Sequence, residues 1–347
     1  MKTIYSDDQR LHFPRYEVMD GELVTPFESP QRMDMVLNRI RASQLGPVLE
    51  PELFPDQSIT AVHSLDYVQY LQTAWAEWAA LGRKNDILPY VYNIRGMRTF
   101  PPRFIDAKVG YYAMDGAAQI TGGTWQAVRS AVNVALTAQK HVSAGGRGAF
   151  ALCRPPGHHA GRDYLGGYCY LNNAAIAAQA FIDQGATRVA LLDVDYHHGN
   201  GSQQIFYDRD DVMFCSIHAD PERDYPHFLG YRDEMGQGKG LGFNHNYPLA
   251  LGSGWNEWGE ALHHLCGLTD LYSPDAIVVS LGVDTYKDDP ISQFKLEGEH
   301  YLRMGEAIGR LNKPTVFVME GGYAVEEIGI NVVSVLQGFE STASKQG

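Results

Sequence analysis

The sequence predicts an α/β fold, with a parallel β-sheet covered by helices on both faces. The first observation is a set of short apolar runs that end in glycine, aspartate or histidine, as buried parallel strands do. The second is that amphipathic segments at helical spacing alternate with these runs. The third is an apolar content of 44%, with no repeat, linker or low-complexity tract. We therefore expect residues 1–347 to form a single domain.

The N-terminal part of the chain is predicted to be mainly helical. A short strand is expected at 3–5, and apolar residues at helical spacing predict helices at 30–42, 65–80 and 125–140. Residues 84–102 form an irregular stretch that is rich in aromatic residues. Loops of this length are usually functional or docked on another surface.

The remainder of the chain alternates strands with helices. Strands are expected at 148–152, 189–195, 212–217, 275–282 and 315–319. Helices are expected at 174–183, 255–271, 299–311 and 324–336. In open parallel sheets, ligands bind beyond the carboxyl ends of the strands. The residues that follow these strands are therefore the first candidates for a functional site.

The charge balance bears on the class of ligand. Lys and Arg number 28 against 41 Asp and Glu, a formal net charge of −13 that disfavours nucleic acid and attracts small cations. The four cysteines form no CxxC pair, so neither a disulfide framework nor a zinc knuckle is predicted. No apolar leader is recognised, and no run approaches the about 18 apolar residues of a membrane helix. We expect a cytoplasmic protein without a membrane partner.

The stretch at 192–201 carries the strongest indication of chemistry. Side chains alternate along an extended chain, so Asp193, Asp195 and His197 are expected to share one side. Two carboxylates and an imidazole at a buried strand end need partners or a cation, and all are ordinary zinc ligands. The alternative is a strand end capped by polar loop residues.

Further strand ends deliver side chains of the same kinds. They are His158 and His159, Asp195 and His197, His218, Asp284, and Tyr323. Each has an ordinary explanation by itself, such as a capping carboxylate or a core tyrosine. Their arrival at successive strand ends, where the fold forms its crevice, favours one shared site.

The motifs around these residues resemble the zinc-dependent histone deacetylase superfamily. They are Arg154-Pro155-Pro156-Gly157-His158-His159, Gly166-Gly167-Tyr168-Cys169, Asp193-Val194-Asp195-Tyr196-His197-His198-Gly199-Asn200-Gly201, Ser216-Ile217-His218, Gly282-Val283-Asp284 and Glu320-Gly321-Gly322-Tyr323. Within it, the bacterial acetylpolyamine amidohydrolases are most similar, through Gly21-Glu22-Leu23, Gly123-Thr124-Trp125, Pro226-His227-Phe228-Leu229-Gly230-Tyr231 and Asp289-Pro290-Ile291-Ser292. The resemblance implies the arginase-deacetylase fold, an eight-stranded parallel sheet flanked by helices.

The resemblance also implies roles at the centre of the site. Asp195, His197 and Asp284 would hold one Zn²⁺ or Fe²⁺ per subunit, with open coordination for water and the amide carbonyl. His159 would act as general base and then acid, with His158 beside it. Asp193 would orient His158, and Asn200 would orient His159. Tyr323 would stabilise the oxyanion, and the two glycines before it would let its ring approach the metal.

The surroundings of the centre follow from the same resemblance. A monovalent cation, K⁺, would lie near Asp193, Asp195, His197 and Ser216. Tyr168 and Tyr225 would form the walls of a narrow substrate channel.

The mouth of that channel carries the prediction of substrate size. Glu17 and Asp106 would be carboxylates there, whereas Ala117 occupies a position that has lost a glutamate. We expect Asp115 to lie on a helix and to face elsewhere, so that it does not replace the lost charge. Residues 84–102 would pack across a homodimer, although an intramolecular lid has the same sequence pattern.

These expectations lead to one function and two alternatives. The sequence predicts a zinc amidohydrolase that releases acetate from acetylated polyamines or diamines, such as acetylputrescine and acetylcadaverine. The first alternative is a protein lysine deacetylase, which an open channel mouth, not crossed by 84–102, would favour. An inactive acyl-amine binding module is disfavoured because the three ligands, both histidines and Tyr323 are all present. A ureohydrolase would need more acidic ligands for two manganese ions.

Overall fold

Ten strands appear in the computed structural model, which describes residues 1–19 and 21–343. They are β1 (Lys2–Ile4), β2 (Glu17–Met19), β3 (Glu22–Val24), β4 (Val48–Leu49), β5 (Gly148–Ala151), β6 (Val189–Asp193), β7 (Val212–Ala219), β8 (Asn244–Leu249), β9 (Ala276–Leu281) and β10 (Thr315–Met319). Eight of them form one parallel sheet in the order β4-β1-β5-β10-β9-β6-β7-β8. The other two, β2 and β3, form a separate antiparallel hairpin. The predicted eight-stranded parallel sheet is confirmed.

Helices cover the sheet and fill the connections between its strands. They are α1 (Pro30–Ala42), α2 (Gln57–Thr60), α3 (Leu65–Ala80), α4 (Ile105–Tyr111), α5 (Thr124–Ser143), α6 (Asn173–Asp183), α7 (Asn200–Phe206), α8 (Trp255–Tyr272), α9 (Gly298–Arg310) and α10 (Ile328–Ser341). In the described part of the chain, no helix has the length and apolarity that crossing a bilayer requires.

The central strands are apolar on both faces because each face packs against helices. Leu191 of β6 and Val278 of β9 are register partners and belong to the apolar cluster on one side of the sheet. The next pair along, Leu192 and Val279, belongs to the cluster on the other side. This arrangement explains why these strands appear in the sequence as continuous apolar runs without alternation.

Most predicted elements are found within a few residues of their expected ends, and α1, α3 and β10 have the predicted bounds. The strand predicted at 189–195 is shorter, because the Asp193 side chain accepts a hydrogen bond from the Asp195 amide (3.2 Å) where β6 ends. The helix predicted at 324–336 begins only at Ile328, because 320–327 form the loop that carries Tyr323.

Several short elements were not predicted. Strand β8 has the sequence Asn-His-Asn-Tyr-Pro-Leu, whose polar residues and proline give no strand pattern, and it lies at the edge of the sheet. Helix α7 begins at Asn200, inside the motif at 192–201, and α4 has only seven residues. None of these omissions changes the end of the sheet at which the candidate residues meet.

Candidate active site

A cavity of about 340 Å³ opens at the carboxyl ends of the central strands. Its lining comes from distant parts of the chain: Glu17, Val18, Met19, Ala117, His159, Gly167, Tyr168, His197, Arg223, Asp224, Tyr225, His227, Ile291 and Tyr323. The loops after β5, β6 and β10 contribute His159, His197 and Tyr323. The predicted convergence at this end of the sheet is therefore present in the structure.

The three predicted metal ligands form a compact, buried group. The donor atoms offered by Asp195, His197 and Asp284 all lie within 4.8 Å of one another. His197 Nδ1 lies 3.4 Å from Asp195 Oδ1 and 3.2 Å from Asp284 Oδ2. Burial, and then the neighbouring Asp195 carboxylate, raise the pKa of Asp284 to about 6. Two buried carboxylates that repel each other beside an imidazole fit a divalent cation, which would satisfy all three.

The backbone fixes both carboxylates in advance. The Gly321 amide donates to Asp195 Oδ2 (2.9 Å), and the Tyr196 amide donates to Asp284 Oδ1 (2.9 Å). A Cβ on Gly321 would lie 2.4 Å from Asp284 Oδ2 and 2.6 Å from Asp195 Oδ2, so only glycine allows this approach. Backbone amides therefore hold both carboxylates in position without the help of a bound ion.

The two histidines lie side by side, with ring centroids 3.9 Å apart, and differ in electrostatic environment. Burial alone would lower the pKa of His158, but Asp195 and Asp193 outweigh it and raise the pKa to about 10. Burial, followed by the neighbouring His158 and His197, holds the pKa of His159 well below its usual range. The two imidazoles thus differ in proton affinity, and His159 is the neutral one that can accept a proton.

Each histidine has the orienting partner that was predicted. His158 Nδ1 donates to Asp193 Oδ2 (3.0 Å). His159 Nδ1 donates to the amide oxygen of Asn200 (2.7 Å), which leaves its Nε2 as an acceptor. The Asn200 amide nitrogen donates in turn to the Tyr164 hydroxyl (3.2 Å), which fixes the orientation of the amide.

A buried arginine on α1 holds the loop of Tyr323, and sequence reasoning missed it. Arg32 Nε donates to the Gly322 carbonyl (2.6 Å) and Nη2 to the Glu320 carbonyl (2.6 Å). Its guanidinium carbon also lies 4.7 Å from the centre of the Tyr323 ring. One signal was available, because Arg32 precedes Val36 and Ile40 by four and eight positions on the buried stripe of α1.

The charge of Arg32 is balanced inside the protein. Glu28 Oε1 accepts from Arg32 Nη1 (2.9 Å) and from Arg154 Nε (2.7 Å). Burial alone would raise the pKa of Glu28, but Arg154 and Arg32 together lower it below its usual value. The carboxylate is therefore ionised at neutral pH. Removing one member of such a buried set leaves the others without a partner.

A second support of the tyrosine loop also escaped prediction. Asp289 Oδ2 accepts from the amides of Tyr323 (2.7 Å) and Ala324 (3.2 Å). Asp289 belongs to one of the subgroup motifs, Asp289-Pro290-Ile291-Ser292, but the sequence does not indicate its role. Tyr323 is consequently held from the α1 side and from the loop after β9.

The two predicted aromatic walls both line the cavity. The Tyr225 ring stands edge-on to His159, with centroids 5.0 Å apart, and the Tyr168 and Tyr323 centroids are 5.8 Å apart. The Tyr168 hydroxyl donates to Glu17 (2.9 Å), which also accepts from the Phe27 amide (3.0 Å). Burial raises the pKa of Glu17. Glu17, on the hairpin strand β2, is therefore part of the cavity as expected.

One expectation about the mouth is wrong, that for Asp115, and a second, that for Asp106, is not met in the single chain. Asp106 lies on α4, where it is exposed and paired with Arg83 (2.5 Å), and it does not line the cavity. Asp115 is not on a helix, because α4 ends at Tyr111 and 112–118 form a loop. Its carboxylate lies directly behind the channel wall, bonded to the Tyr225 hydroxyl. Asp224, which the sequence did not indicate, lines the cavity together with Ala117.

The residues predicted around a monovalent cation are neighbours across two strands. Asp193 of β6 and Ser216 of β7 are register partners, and both are buried. Ser216 Oγ pairs with His218 Nδ1 (2.8 Å), and His218 Nε2 pairs with the Gly230 carbonyl (2.8 Å). His218 thus supports the loop behind the channel and does not line the cavity.

The fold and the site define a class of protein, and comparison of the sequence with protein families gives the same class. The histone deacetylase domain matches residues 26–339. The chain belongs to the histone deacetylase family, and it is an enzyme of the deacetylase and amidohydrolase type, which hydrolyses amide bonds.

The resemblance to one subgroup is also confirmed. The chain is 59% identical over 340 residues to acetylpolyamine amidohydrolase 2 of Pseudomonas aeruginosa, covering 98% of this chain and 99% of the relative. It is 45% identical to the acetylpolyamine amidohydrolase of Mycoplana ramosa, covering 97% and 99%. The solved structure of acetylpolyamine aminohydrolase from Burkholderia pseudomallei superposes with a TM-score of 0.94 at 40% identity, covering 99% of both chains.

Proposed function

We propose that the protein is a zinc-dependent amidohydrolase that releases acetate from acetylated polyamines and diamines. The observation that carries this proposal is the position of the buried Asp195–His197–Asp284 group beside a cavity whose lining holds two carboxylates, Glu17 and Asp224, against one arginine, Arg223. Such a lining favours a substrate with a linear apolar chain and a cationic end. The high-identity relatives named acetylpolyamine amidohydrolases support the same substrate class.

The protein groups divide the work of hydrolysis. Asp195, His197 and Asp284 would hold zinc, which when bound acts as a Lewis acid on the acetyl carbonyl and increases the acidity of the attacking water. His159, neutral and with Nε2 free, takes the proton of that water and later delivers a proton to the leaving amine. His158, which donates to Asp193, is the electrostatic partner beside His159.

Tyr323 completes the stabilisation of charge. Burial raises the pKa of its hydroxyl well above the usual value, so the hydroxyl stays protonated and can donate to the oxygen that becomes negative. Tyr168 and Tyr225 exclude water from the narrow part of the cavity, which strengthens these interactions.

We further propose a K⁺ site beside the zinc ligands, formed largely by backbone carbonyl groups. Asp193, Asp195, His197 and Ser216 would contribute to it, because Asp193 and Ser216 are adjacent in the sheet and Asp195 and His197 follow in the same loop. Activity that rises with KCl and not with LiCl at constant ionic strength would support this site.

Residues 84–102 are proposed as the contact surface of a homodimer. Tyr90, Val91, Ile94 and Met97 are each at least half exposed, and Tyr90 is 86% exposed. Within the described residues, those lining the cavity include none from 84–102, which favours the interface over the lid. Shortening this segment should yield monomers by light scattering, whereas unchanged assembly would exclude the interface. The predicted cytoplasmic location stays a prediction.

One observation favours a second candidate, the deacetylation of lysine in proteins. The cavity of a single chain is not crossed by 84–102, and an open mouth would admit a peptide. If 84–102 pack against a second copy, the mouth of the cavity becomes narrower, and a small acetylated amine is then favoured over a peptide as substrate. The two candidates therefore differ in how activity should depend on assembly.

One assay separates these functions. The holoenzyme is given acetylputrescine, acetylcadaverine, acetylspermidine and an acetyl-lysine peptide, and acetate release is measured with and without a zinc chelator. We expect chelator-sensitive release, fastest from the acetylated diamines. Faster release from the peptide would favour the second candidate. No release from any of them, with zinc bound, would indicate the binding module.

A further inference from the structure

One carboxylate behind the cavity joins three segments that line it. Asp115 Oδ2 accepts from the Tyr225 hydroxyl (2.5 Å) and from the Gly167 amide (2.9 Å). Asp115 Oδ1 accepts from the Ala117 amide (2.9 Å). Ala117, Gly167 and Tyr225 all line the cavity, whereas Asp115 lies behind them.

A role in its own turn does not explain these bonds. An aspartate that caps a turn commonly accepts from the amide two positions ahead, and the bond to Ala117 is of that kind. The partners Gly167 and Tyr225 are 52 and 110 positions away. Burial raises the pKa of Asp115, and the hydrogen bonds from Tyr225 and from the backbone amides lower it. Burial outweighs these bonds and the pKa stays raised, so the donors that Asp115 positions offset only part of the cost of burying its charge.

The bond to Gly167 holds an unusual stretch of backbone. Gly167 has φ +51° and Tyr168 has φ +65°, so two successive residues are in the left-handed region, and the second has a side chain. This conformation directs the Tyr168 ring toward Tyr323, with centroids 5.8 Å apart. A segment in a sparsely populated conformation persists only when its surroundings fix it.

Both partners of Asp115 also contact the histidine proposed as general base. A Cβ on Gly167 would lie 2.4 Å from His159 Cδ2, so the Gly167 backbone packs directly on the imidazole. The Tyr225 ring stands edge-on to the same imidazole at 5.0 Å. Asn200 holds His159 from its other side through Nδ1. Asp115 therefore fixes two of the surfaces that define where His159 Nε2 points.

We propose that Asp115 is a positioning residue that sets the width of the channel and the orientation of His159. It touches neither the substrate nor the metal ligands, and acts through Gly167, Tyr168 and Tyr225. Its kinetic consequences rest on the proposed function, since they need an acylated amine as substrate. Its structural consequence does not.

The structural test is hydrogen–deuterium exchange on the zinc-loaded holoenzyme. In Asp115→Ala the Gly167 amide loses its acceptor, and we expect exchange in residues 166–168 to be at least about tenfold faster at unchanged zinc content. Asp66→Ala is the matched control, because it breaks another carboxylate–tyrosine bond, to Tyr112 (2.9 Å), outside the cavity lining. Exchange at 166–168 that is equal in Asp115→Ala and the wild type would overturn the proposal.

The milder variants keep the test decisive if Asp115→Ala folds poorly. Asp115→Asn keeps an acceptor for Tyr225 and Gly167 but turns an NH₂ group toward the Ala117 amide. Tyr225→Phe removes only the hydroxyl and leaves both amide bonds. We expect Tyr225→Phe to have the smaller effect on exchange, and the double variant Asp115→Ala/Tyr225→Phe to be no worse than Asp115→Ala alone.

The kinetic test compares a linear substrate with a branched one. Looser walls should lower kcat/KM for acetylcadaverine by about 10–10²-fold, and should narrow the preference over an acetylated amine branched next to nitrogen by about fivefold. A loss of folded protein would lower both values equally and leave the preference unchanged, which would contradict the proposal. If the wild type releases no acetate from any acylated amine, the proposed function fails, and the exchange experiment still decides the role of Asp115.

Discussion

The base and the mouth of the cavity are built in different ways. At the base, Asp195, His197 and Asp284 come from loops that directly follow sheet strands, and backbone amides fix the two carboxylates. At the mouth, Glu17 comes from a hairpin, and Ala117 and Asp224 come from loops. The sheet thus determines the chemistry of the site, whereas loop contacts determine which substrate reaches it. Changes at the base should be close to all-or-none, and changes at the mouth should be graded.

The largest effect is expected from Asp284→Ala. Loss of one ligand from the buried group should reduce bound zinc from about one per chain to a trace after dialysis, with activity lost and the fold retained. Elemental analysis measures the zinc content, and circular dichroism measures whether the fold is retained. Asp288→Ala, an exposed aspartate nearby, is the control. Stoichiometric zinc of unchanged affinity in Asp284→Ala would show that the ligand assignment is wrong.

The second-largest effect is expected from Tyr323→Phe. Zinc content and KM should be retained, and kcat should fall by about 10²–10³-fold, the range for loss of one oxyanion donor. Tyr207→Phe, on the C-terminal side of α7, provides the same chemical change elsewhere and should be silent. A near-normal kcat in steady-state assays would exclude Tyr323 as the donor.

A smaller effect on kcat is expected from Arg32, which lies on helix α1 and supports the Tyr323 loop from outside the sheet. Arg32→Lys keeps the charge but cannot donate to two carbonyls with a planar fork, so the Tyr323 loop should shift and kcat should fall by about 10–10²-fold. The exposed Arg39→Lys on the same helix is the matched control. If kcat and urea unfolding of Arg32→Lys were both unchanged, Arg32 would not position the loop.

The smallest effect belongs to the mouth. Because Ala117 lines the cavity, Ala117→Glu would add a carboxylate beside a distal ammonium, and an exposed pair contributes only about 0.2–1 kcal/mol. We expect wild-type kcat/KM to fall from acetylcadaverine to acetylspermine, and the variant to narrow this gap by about fivefold at most. Ala107→Glu on α4 controls for added charge outside the cavity. Equal kcat/KM for both substrates in the wild type at low salt would refute this interpretation of Ala117.

The same division explains what could be predicted from the sequence. Asp195 and His197 were expected on one side because they are two positions apart, and they do meet, although both lie in the loop after β6 and not in the strand itself. Arg32 was missed because its partners are backbone carbonyls 288 and 290 positions away, which no local pattern indicates. Asp106 does not line the cavity of the single chain, and Asp224, which does, was not indicated, because which carboxylate faces a cavity depends on packing between distant segments. Strand β8 was missed because its polar residues hide it.

The link from Arg32 to the Gly322 carbonyl has a consequence for biosynthesis. It joins positions 290 residues apart, so the first helix waits for its partner until almost the entire polypeptide has left the ribosome. Until then Arg32 lacks the Gly322 and Glu320 carbonyls that accept from it in the complete chain. A nascent chain that ends before β10 would lack the strand between β5 and β9, the Gly321 amide that holds Asp195, and Tyr323 itself. The three carboxylate and imidazole groups at the base and the hydroxyl beside them should therefore reach their final arrangement together, when synthesis is almost complete.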